Sequence, residues 1–331
     1  MFYNFIAKRN PILFNSTAFS QIYASILKIT NPNLFKLYNY IYRCLPIDKK
    51  DLFSFFKEKE IETFIAENLL SHSEPNFRFL YRIVPLGKLL IVCNPEIEKD
   101  TENYVHIGGD TLLLWKFAEQ NIGDKSFGMV LDVGCGAGYL SLRMSKYADS
   151  VHATDINNAA LELTKLNAQR NDCNNIFAFE SDVYSNIDNK YDLIISNPPY
   201  EFLPDKDNKL RHFYGGRMGN EITTKILEDL DRYLSPRGQA FILTKAYIKK
   251  SGENELISTI ENIFREKNYS VVLFESSYQT SREHKSFYQK NRISHSITYL
   301  ISIKRSYDPE MIVVPLKSWK KLKNMIRMKM L

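Results

Sequence analysis

The chain has 331 residues, of which 44% are hydrophobic and 25% charged, and it carries a formal net charge of +6. These values are typical of a globular protein, and no run approaches the ~18 apolar residues that a membrane helix needs, so membrane insertion is not expected. The four cysteines, Cys44, Cys93, Cys135 and Cys173, form no CxxC pair and adjoin no histidine cluster, which predicts reduced thiols, no metal centre and a cytoplasmic protein.

The first 100 residues are predicted to form a small module. Apolar residues recur at helical spacing up to about residue 70, for example at Leu52 and Phe56. Two strand-like runs then flank a Pro/Gly turn, Phe77 to Val84 and Leu89 to Cys93, and this pattern predicts a hairpin. We interpret the module (residues 1–100) as a substrate-recognition element or a lid, built either like a winged helix or as a helical cap that two strands complete.

From residue 101 onward, strands and helices alternate along the sequence. Seven strands are expected, and they start near residues 129, 151, 176, 191, 238, 271 and 295. Such alternation predicts a parallel sheet covered by helices on both faces. The expected fold class is therefore α/β, with a Rossmann-like seven-stranded sheet over residues 101–305 and the smaller helical and hairpin module before it.

Residues 306–331 are predicted to be a basic C-terminal extension. Its last part contains cations and no carboxylate: Lys317, Lys320, Lys321, Lys323, Arg327 and Lys329. One interpretation is a solvated terminal helix, and the other is an arm that contacts nucleic acid or a membrane surface. The sequence indicates no particular oligomeric state.

A glycine-rich turn follows the first of the seven strands. Glycines let a chain turn sharply as it leaves a strand, and they let a ligand approach the backbone closely. A dinucleotide fingerprint would need a further glycine where Tyr139 stands, which argues against a nicotinamide or flavin cofactor. A purely structural turn is the alternative interpretation. The turn comprises Asp132, Gly134, Cys135, Gly136 and Gly138 with the residues between them.

Acidic residues follow the next two strands at the same edge of the predicted sheet. Asp155 could accept hydrogen bonds from both hydroxyls of a ribose, or it could cap the next helix, a task that Asn157 or Asn158 could also perform. Asp182 could meet the exocyclic amine of an adenine, or it could be another cap. Upstream, Asp110 and Thr111 open a helix after two glycines, where they could either cap the helix or contact a cofactor.

The tetrapeptide Asn197-Pro198-Pro199-Tyr200 follows the fourth strand of the series. An amide or exocyclic amine has a delocalised lone pair, so it is a poor nucleophile until acceptors hold its N–H bonds and aim the lone pair. The Asn197 side chain and the Pro198 carbonyl could supply those acceptors, the two proline rings would stiffen the loop, and Tyr200 could stack on a planar group. A simple proline turn is the alternative.

In this order, these residues resemble the class I S-adenosylmethionine-dependent methyltransferases of the branch that carries an Asn-Pro-Pro-Tyr motif. The resemblance covers roughly residues 101–305. The glycine pair at 215 and 216 and the Asp110-Thr111 pair are similar to the HemK-type protein-glutamine methyltransferases. Two features depart from that group: Ile107-Gly108-Gly109 replaces a proline-arginine sequence, and a predicted hairpin replaces a plain helical bundle. A looser group of small-domain methyltransferases resembles the chain more closely.

The resemblance implies S-adenosyl-L-methionine as the cofactor and assigns two sets of residues to the site. The residues expected to act on the acceptor are Asn197, Pro198, Pro199 and Tyr200. The residues expected to bind the cofactor are Asp110, Thr111, Asp132, Gly134, Cys135, Gly136, Gly138, Asp155, Ile156, Asp182, Val183 and Asn197.

The expected activity is methyl transfer to a planar amide or amine nitrogen. A macromolecular acceptor, a protein glutamine or an RNA or DNA base, is favoured because the N-terminal module and the basic tail offer additional contact surface. A small metabolite fits instead if the module and residues 201–220 close over the pocket. The other hypotheses are a binding module without turnover and a nicotinamide oxidoreductase.

Overall fold

The computed structural model describes residues 28–73, 75–95, 101, 103–204, 213–279 and 285–315. The beginning of the predicted N-terminal module and most of the predicted basic tail therefore lie outside the described residues.

The N-terminal module is an α/β unit rather than a set of helices with one hairpin. Its helices are α1 (Pro32–Ile41), α2 (Lys49–Phe55) and α3 (Glu58–Ala66). Its strands are β1 (Ile47–Asp48), β2 (Leu70–Ser73), β3 (Asn76–Phe79), β4 (Arg82–Leu86) and β5 (Leu89–Cys93). The predicted hairpin exists as the antiparallel pair β4–β5. The run from Phe77 to Val84, predicted as one strand, is divided between two sheets because β3 pairs with β2 and β1 instead.

A large sheet forms the body of the molecule. Its strands are β6 (Phe127–Val133), β7 (Ala148–Asp155), β8 (Ile176–Glu180), β9 (Tyr191–Ser196), β10 (Leu234–Lys249), β11 (Tyr269–Gln279), β12 (Ile293–Arg305) and β13 (Glu310–Val314). They lie in the order β13-β11-β12-β10-β9-β6-β7-β8. Neighbours pair in parallel except at β12, which is antiparallel to both β10 and β11.

The fold class is as predicted, but the strand count is wrong. The large sheet has eight strands rather than seven, and the additional strand is β13 at its edge. Residues 310–314 belong to the segment that the sequence assigned to the basic extension. Their run Met311-Ile-Val-Val314 pairs in parallel with β11, from Met311 opposite Val271 to Val314 opposite Phe274. A short apolar run at the end of a chain is a weak signal, because sequence alone does not reveal the sheet edge that it can extend.

Helices cover both faces of this sheet. They are α4 (Gly109–Ile122), α5 (Tyr139–Met144), α6 (Asn158–Arg170), α7 (Glu221–Glu228), α8 (Leu230–Tyr233), α9 (Glu255–Phe264) and α10 (Lys285–Lys290), with a short 3₁₀ helix at Arg217–Gly219. Alternate residues of β9 join different cores: Leu193 and Ile195 pack with the first, and Ile194 packs with the second. The first core also contains the apolar side chains of the N-terminal module, so the module and that face share one hydrophobic interior.

The strand order reverses between β6 and β9. From β6 the chain proceeds outward through β7 and β8, and then returns to β9 on the other side of β6. In open parallel sheets, ligands bind in the crevice beyond the carboxyl ends of the strands at such a switch point. The glycine turn follows β6 and the Asn-Pro-Pro-Tyr motif follows β9. Both motifs therefore lie at the place where the fold opens.

Candidate active site

A cavity of about 940 Å³ opens at the carboxyl ends of β6 to β9. This volume lies near the top of the range of about 300–1,000 Å³ that is usual for small-molecule sites. Most of the residues predicted for the site line the cavity: Asp110, Thr111, Gly134, Cys135, Gly136, Asp155, Ile156, Asp182, Val183, Asn197, Pro198, Pro199 and Tyr200. Asp132 and Gly138 are not among the lining residues.

The glycine turn is held against the neighbouring strand by its own backbone. The N–H groups of Gly134 and Cys135 both donate to the carbonyl of Thr154, at 2.8 and 2.9 Å. Gly134 and Gly136 have positive φ angles of 73° and 55°, a backbone conformation that residues with a side chain rarely adopt. Among the described atoms, nothing lies within 4 Å of a Cβ added at Gly134. The turn therefore leaves open space in front of its backbone.

Asp132 lies behind the turn and braces the next helix. Its Oδ2 accepts hydrogen bonds from the Ser141 backbone N–H at 3.0 Å and from the Ser141 hydroxyl at 2.6 Å. Its Oδ1 is buried and has no hydrogen-bond partner among the described residues. Burial, with a smaller contribution from the charge of the nearby Asp155, raises the pKa of Asp132 to about 7. The arrangement assigns Asp132 a supporting position behind the cavity wall.

Gly138 also supports the turn from behind. A Cβ at this position would lie 2.9 Å from the Thr164 hydroxyl of α6, so glycine permits close contact between the turn and that helix. The Cys135 thiol contacts the same threonine, with Sγ 3.4 Å from the Thr164 hydroxyl oxygen. Burial raises the pKa of Cys135 above its usual value, so the thiol stays protonated.

Asp155 lies at the floor of the cavity beside the turn. Its two carboxylate oxygens accept from the Gly136 N–H at 3.0 Å and the Asn157 N–H at 2.9 Å. Burial raises its pKa above the usual value. Asn157 caps α6, because its side chain accepts from the Ala159 N–H at 3.0 Å. The alternative role predicted for Asp155, the helix cap, therefore falls to Asn157.

An apolar side chain and a second carboxylate follow along the same wall. The Ile156 side chain is 53% exposed although it lines the cavity. Exposed isoleucine at a concave site is suited to a flat apolar ligand group. Asp182 is more open, and Lys225 Nζ lies 3.8 Å from its carboxylate. Val183 beside it is buried and has a positive φ of 54°.

Asn197 begins the loop that forms the opposite wall. The Ser196 hydroxyl donates to the Val133 carbonyl at 2.7 Å, which ties the start of this loop to the start of the glycine turn. Asn197 Nδ2 donates to Thr111 Oγ1 at 2.9 Å. Asn197 Oδ1 is buried and lacks a partner within the described part of the chain. A buried acceptor without a partner is costly in the absence of a ligand, so it marks a position at which a donor can bind.

Asp110 and Thr111 were predicted as cofactor contacts, and the structure brings both to the Asn-Pro-Pro-Tyr loop. Thr111 accepts from Asn197, and the Tyr200 hydroxyl donates to the Asp110 carboxylate. Burial and the Asp110 charge raise the pKa of Tyr200, so its hydroxyl remains a donor. Asp110 and Thr111 also line the cavity. The beginning of α4 therefore supports the Asn-Pro-Pro-Tyr loop (residues 197–200, the acceptor loop) from one side.

A second glycine-rich loop supports the acceptor loop from the other side. Glu201 N–H donates to the Phe213 carbonyl at 2.7 Å, and the Gly215 N–H donates to the Glu201 carbonyl at 2.9 Å. A Cβ at Gly215 would lie 2.6 Å from Tyr200 Cα and 2.8 Å from the Pro199 carbonyl oxygen. The Gly-Gly pair signalled this loop in the sequence, but its contact with the motif depends on the tertiary fold.

Sequence reasoning missed a polar cluster beneath the acceptor loop. Lys245 and Tyr247 of β10 both donate to the Glu201 carboxylate, and the Tyr247 hydroxyl does so at 2.5 Å. Lys245 is 6% exposed, and its ammonium lies 5.1 Å from the centre of the Tyr200 ring. A buried lysine needs such a carboxylate partner. The residues sit within a long apolar strand, so only their polarity at buried positions could have indicated them.

The cavity walls fit the group that the resemblance implies. The open backbone of the glycine turn suits a close-lying ligand, the Asp155 carboxylate suits hydroxyl donors, and the exposed Ile156 suits an apolar ring face. Bound S-adenosylmethionine would supply an electrophilic methyl group. Within the described ranges, no group of three His, Cys, Asp or Glu residues could hold a metal ion. No helix there has the length and apolarity that crossing a bilayer requires.

Comparison with known proteins identifies the family. Residues 102–273, more than half of the chain, match the model of the methyltransferase small domain. A Methanocaldococcus jannaschii protein, provisionally named a protein N5-glutamine methyltransferase, is 33% identical over 186 residues, which are 54% of this chain and 86% of that protein. A Streptococcus pneumoniae release factor glutamine methyltransferase is 29% identical over 56% of this chain and 67% of its own.

A third relative is a ribosomal RNA small subunit methyltransferase C from Psychromonas ingrahamii. It is 36% identical over 119 residues, which cover 35% of this chain and 32% of that protein. The matched region of this chain contains the glycine turn, Asp155 and the Asn-Pro-Pro-Tyr loop around the cavity. The chain belongs to the methyltransferase small-domain family and is an S-adenosylmethionine-dependent methyltransferase.

Proposed function

We propose that this enzyme methylates a planar amide or amine nitrogen carried by a macromolecule, either a protein glutamine or a nucleic-acid base. The observation that supports this function best is the Asn197 side chain. Its Nδ2 is occupied by Thr111, and its buried Oδ1 has no partner in the described residues. A hydrogen-bond-accepting oxygen with a fixed orientation, in a residue that lines the cavity, suits a methyl-accepting group that brings an N–H.

Holding the N–H addresses the main difficulty of this chemistry. The lone pair of an amide or aromatic amine is delocalised. It becomes available when acceptors hold the N–H bonds so that the lone pair leaves conjugation and faces the methyl carbon. We assign that task to Asn197 Oδ1 and the Pro198 carbonyl, and we assign stacking on the planar group to Tyr200. The second glycine loop and the beginning of α4 keep this wall rigid. The reaction therefore loses less conformational entropy when the acceptor nitrogen is brought into position.

The cofactor wall has a separate task. We assign the ribose hydroxyls to Asp155, the adenine to Ile156, Asp182 and Val183, and the close backbone approach to Gly134, Cys135 and Gly136. Asp132 and Gly138 support that wall from behind. The names of the relatives, two glutamine methyltransferases and one ribosomal RNA methyltransferase, support a macromolecular acceptor. All four cysteines carry thiols rather than disulfides, and three of them are buried, which supports action in the reducing cytoplasm.

The test combines an Asn197→Ala variant with a search for the acceptor. Parent and variant are incubated with methyl-labelled S-adenosylmethionine and separated pools of protein, RNA, DNA and small metabolites. We expect label in one macromolecular pool with the parent and at least about a hundredfold less with the variant, while S-adenosylmethionine binding by calorimetry stays within about threefold.

Asn121→Ala is the matched control, because this amide bonds only to the Phe117 carbonyl of its own helix among the described residues, at 2.8 Å. It should methylate like the parent. Label in the metabolite pool alone would refute the macromolecular acceptor. Equal rates for Asn197→Ala and the parent would refute the role of the amide.

A further inference from the structure

Asn167 of α6 and Asn171, the residue that caps the C-terminal end of α6, hold the β4–β5 hairpin in place. The Val92 N–H donates to Asn167 Oδ1 at 2.8 Å, and Asn167 Nδ2 donates back to the Val92 carbonyl at 2.8 Å. Asn171 makes the same reciprocal pair with Leu90, at 2.8 Å in each direction. Two strand residues span about 6.6 Å and four helix residues about 6 Å, so the two amides match the strand repeat and act as a neighbouring strand would.

The two asparagines differ in their remaining amide hydrogen. Asn171 Nδ2 donates it to the carbonyl of Asn167 in α6 at 2.7 Å. Asn167 Nδ2 donates it to the carbonyl of Ala137 at 2.9 Å, and Ala137 lies inside the glycine turn. Rotating the Asn167 amide by half a turn would oppose like groups at all three contacts, so its orientation is fixed. One buried side chain therefore joins the hairpin to the cofactor wall.

Further contacts extend the same connection. Thr164, three residues before Asn167, donates to the Gly136 carbonyl at 2.9 Å, so α6 holds two consecutive peptide carbonyls of the turn. Beyond the hairpin, the Asn94 N–H donates to the Val105 carbonyl at 2.8 Å, and the Val105 N–H donates back to Asn94 Oδ1 at 2.9 Å. Val105 lines the cavity. The hairpin thus contacts the cofactor side of the site through two routes.

We propose that Asn167 is a positioning residue that couples docking of the hairpin to the shape of the glycine turn, so that affinity for S-adenosylmethionine depends on the hairpin. The hairpin precedes residue 102, where the match to the family model begins. Because reciprocal hydrogen bonds to Asn167 and Asn171 hold its backbone, the hairpin acts as a brace of the cofactor site rather than as a lid that opens with each turnover. This inference concerns cofactor binding and does not depend on the identity of the methyl acceptor.

The first test compares Asn167→Leu with Asn171→Leu by calorimetry with S-adenosylmethionine. Each variant loses both hydrogen bonds to the hairpin, and only Asn167→Leu also loses the bond to the glycine turn. We expect a rise of about tenfold in the dissociation constant for Asn167→Leu and less than about threefold for Asn171→Leu, since one hydrogen bond to the turn separates them. Equal effects in the two variants would overturn the proposal.

The second test uses the parent protein, so it stands if Asn167→Leu does not fold. Coupling between two sites is reciprocal, so a hairpin that strengthens cofactor binding must itself be stabilised by the cofactor. We expect S-adenosylmethionine to slow hydrogen exchange at the Leu90 and Val92 amides, with Leu69 of the N-terminal module, whose amide bonds to the Phe64 carbonyl, as the reference. Unchanged exchange at Leu90 and Val92 would overturn the proposal. Neither readout requires methylation of any acceptor.

Discussion

Thr111 Oγ1 accepts a hydrogen bond from Asn197 Nδ2 at 2.9 Å, across 86 residues of sequence. This contact fixes the orientation of the amide of Asn197, a residue that lines the cavity. One Nδ2 hydrogen is donated to Thr111, and the Asn197 Oδ1 oxygen is buried without a partner among the described residues. The start of α4 therefore fixes the amide orientation on which the proposed role of Asn197 depends.

Replacing Thr111 by valine should release the Asn197 amide. Valine keeps the shape of threonine and removes the hydroxyl oxygen. The Asn197 amide can then rotate and present its nitrogen, instead of its oxygen, to the N–H of the methyl acceptor. We expect kcat to fall about tenfold or more, while the dissociation constant for S-adenosylmethionine stays within about threefold. Thr111→Ser keeps the hydroxyl and should retain most of the rate. An unchanged kcat for Thr111→Val would contradict the role given to this contact.

Asp155 and Asp182 should contribute unequally to cofactor affinity. Asp155 is held by the Gly136 and Asn157 amides at the cavity floor, whereas the Asp182 side chain is 61% exposed and screened by water. We expect Asp155→Asn to raise the dissociation constant for S-adenosylmethionine about tenfold or more and Asp182→Asn about threefold or less. Titration calorimetry measures both. The reverse order would show that the carboxylates have been assigned to the wrong positions.

Gly215 should be intolerant of a side chain because it packs against the acceptor loop. An added Cβ would lie 2.4 Å from the Gly219 carbonyl oxygen and 2.6 Å from Tyr200 Cα, both of which are backbone atoms. We expect Gly215→Ala to shift the loop and lower kcat about a hundredfold.

Gly123→Ala is the control for the Gly215 variant. Gly123 ends α4 away from the cavity with a φ of 57°, and nothing described lies within 4 Å of a Cβ added there. This variant should lose about 1 kcal/mol of stability through backbone strain and should retain its kcat. Thermal unfolding and initial rates on the same preparations separate the two effects. A Gly215→Ala enzyme with the parent's kcat would argue against the packing role.

The sequence predicted the cofactor side of the site more completely than its surroundings. Strand, turn and carboxylate signals are local, so the strand expected to start near residue 191 does begin there, as β9 (Tyr191–Ser196). The partners of those signals are not local. The reciprocal bonds from Asn167 and the burial of Lys245 on β10 depend on contacts between segments distant in sequence. Periodicity carries no information about such contacts.

Asp132 should make stability depend on pH in a way that asparagine abolishes. Burial raises the pKa of this carboxyl from 3.8 to about 7 in the folded protein, so the folded state holds the proton more tightly than the unfolded chain does. Between these two values the folded state binds more protons, and the free energy of unfolding therefore falls as pH rises through this window and levels off above it. Asp132→Asn keeps an acceptor for Ser141 and has no charge to bury.

We expect the melting temperature of the variant minus that of the parent to increase by roughly 5 °C between pH 4.5 and pH 7.5. Thermal unfolding across that range measures the difference, which cancels the titration of groups common to both proteins. A constant difference would contradict the prediction, because it would mean that Asp132 is already ionised in the folded protein at pH 4.5 and that its pKa is not raised.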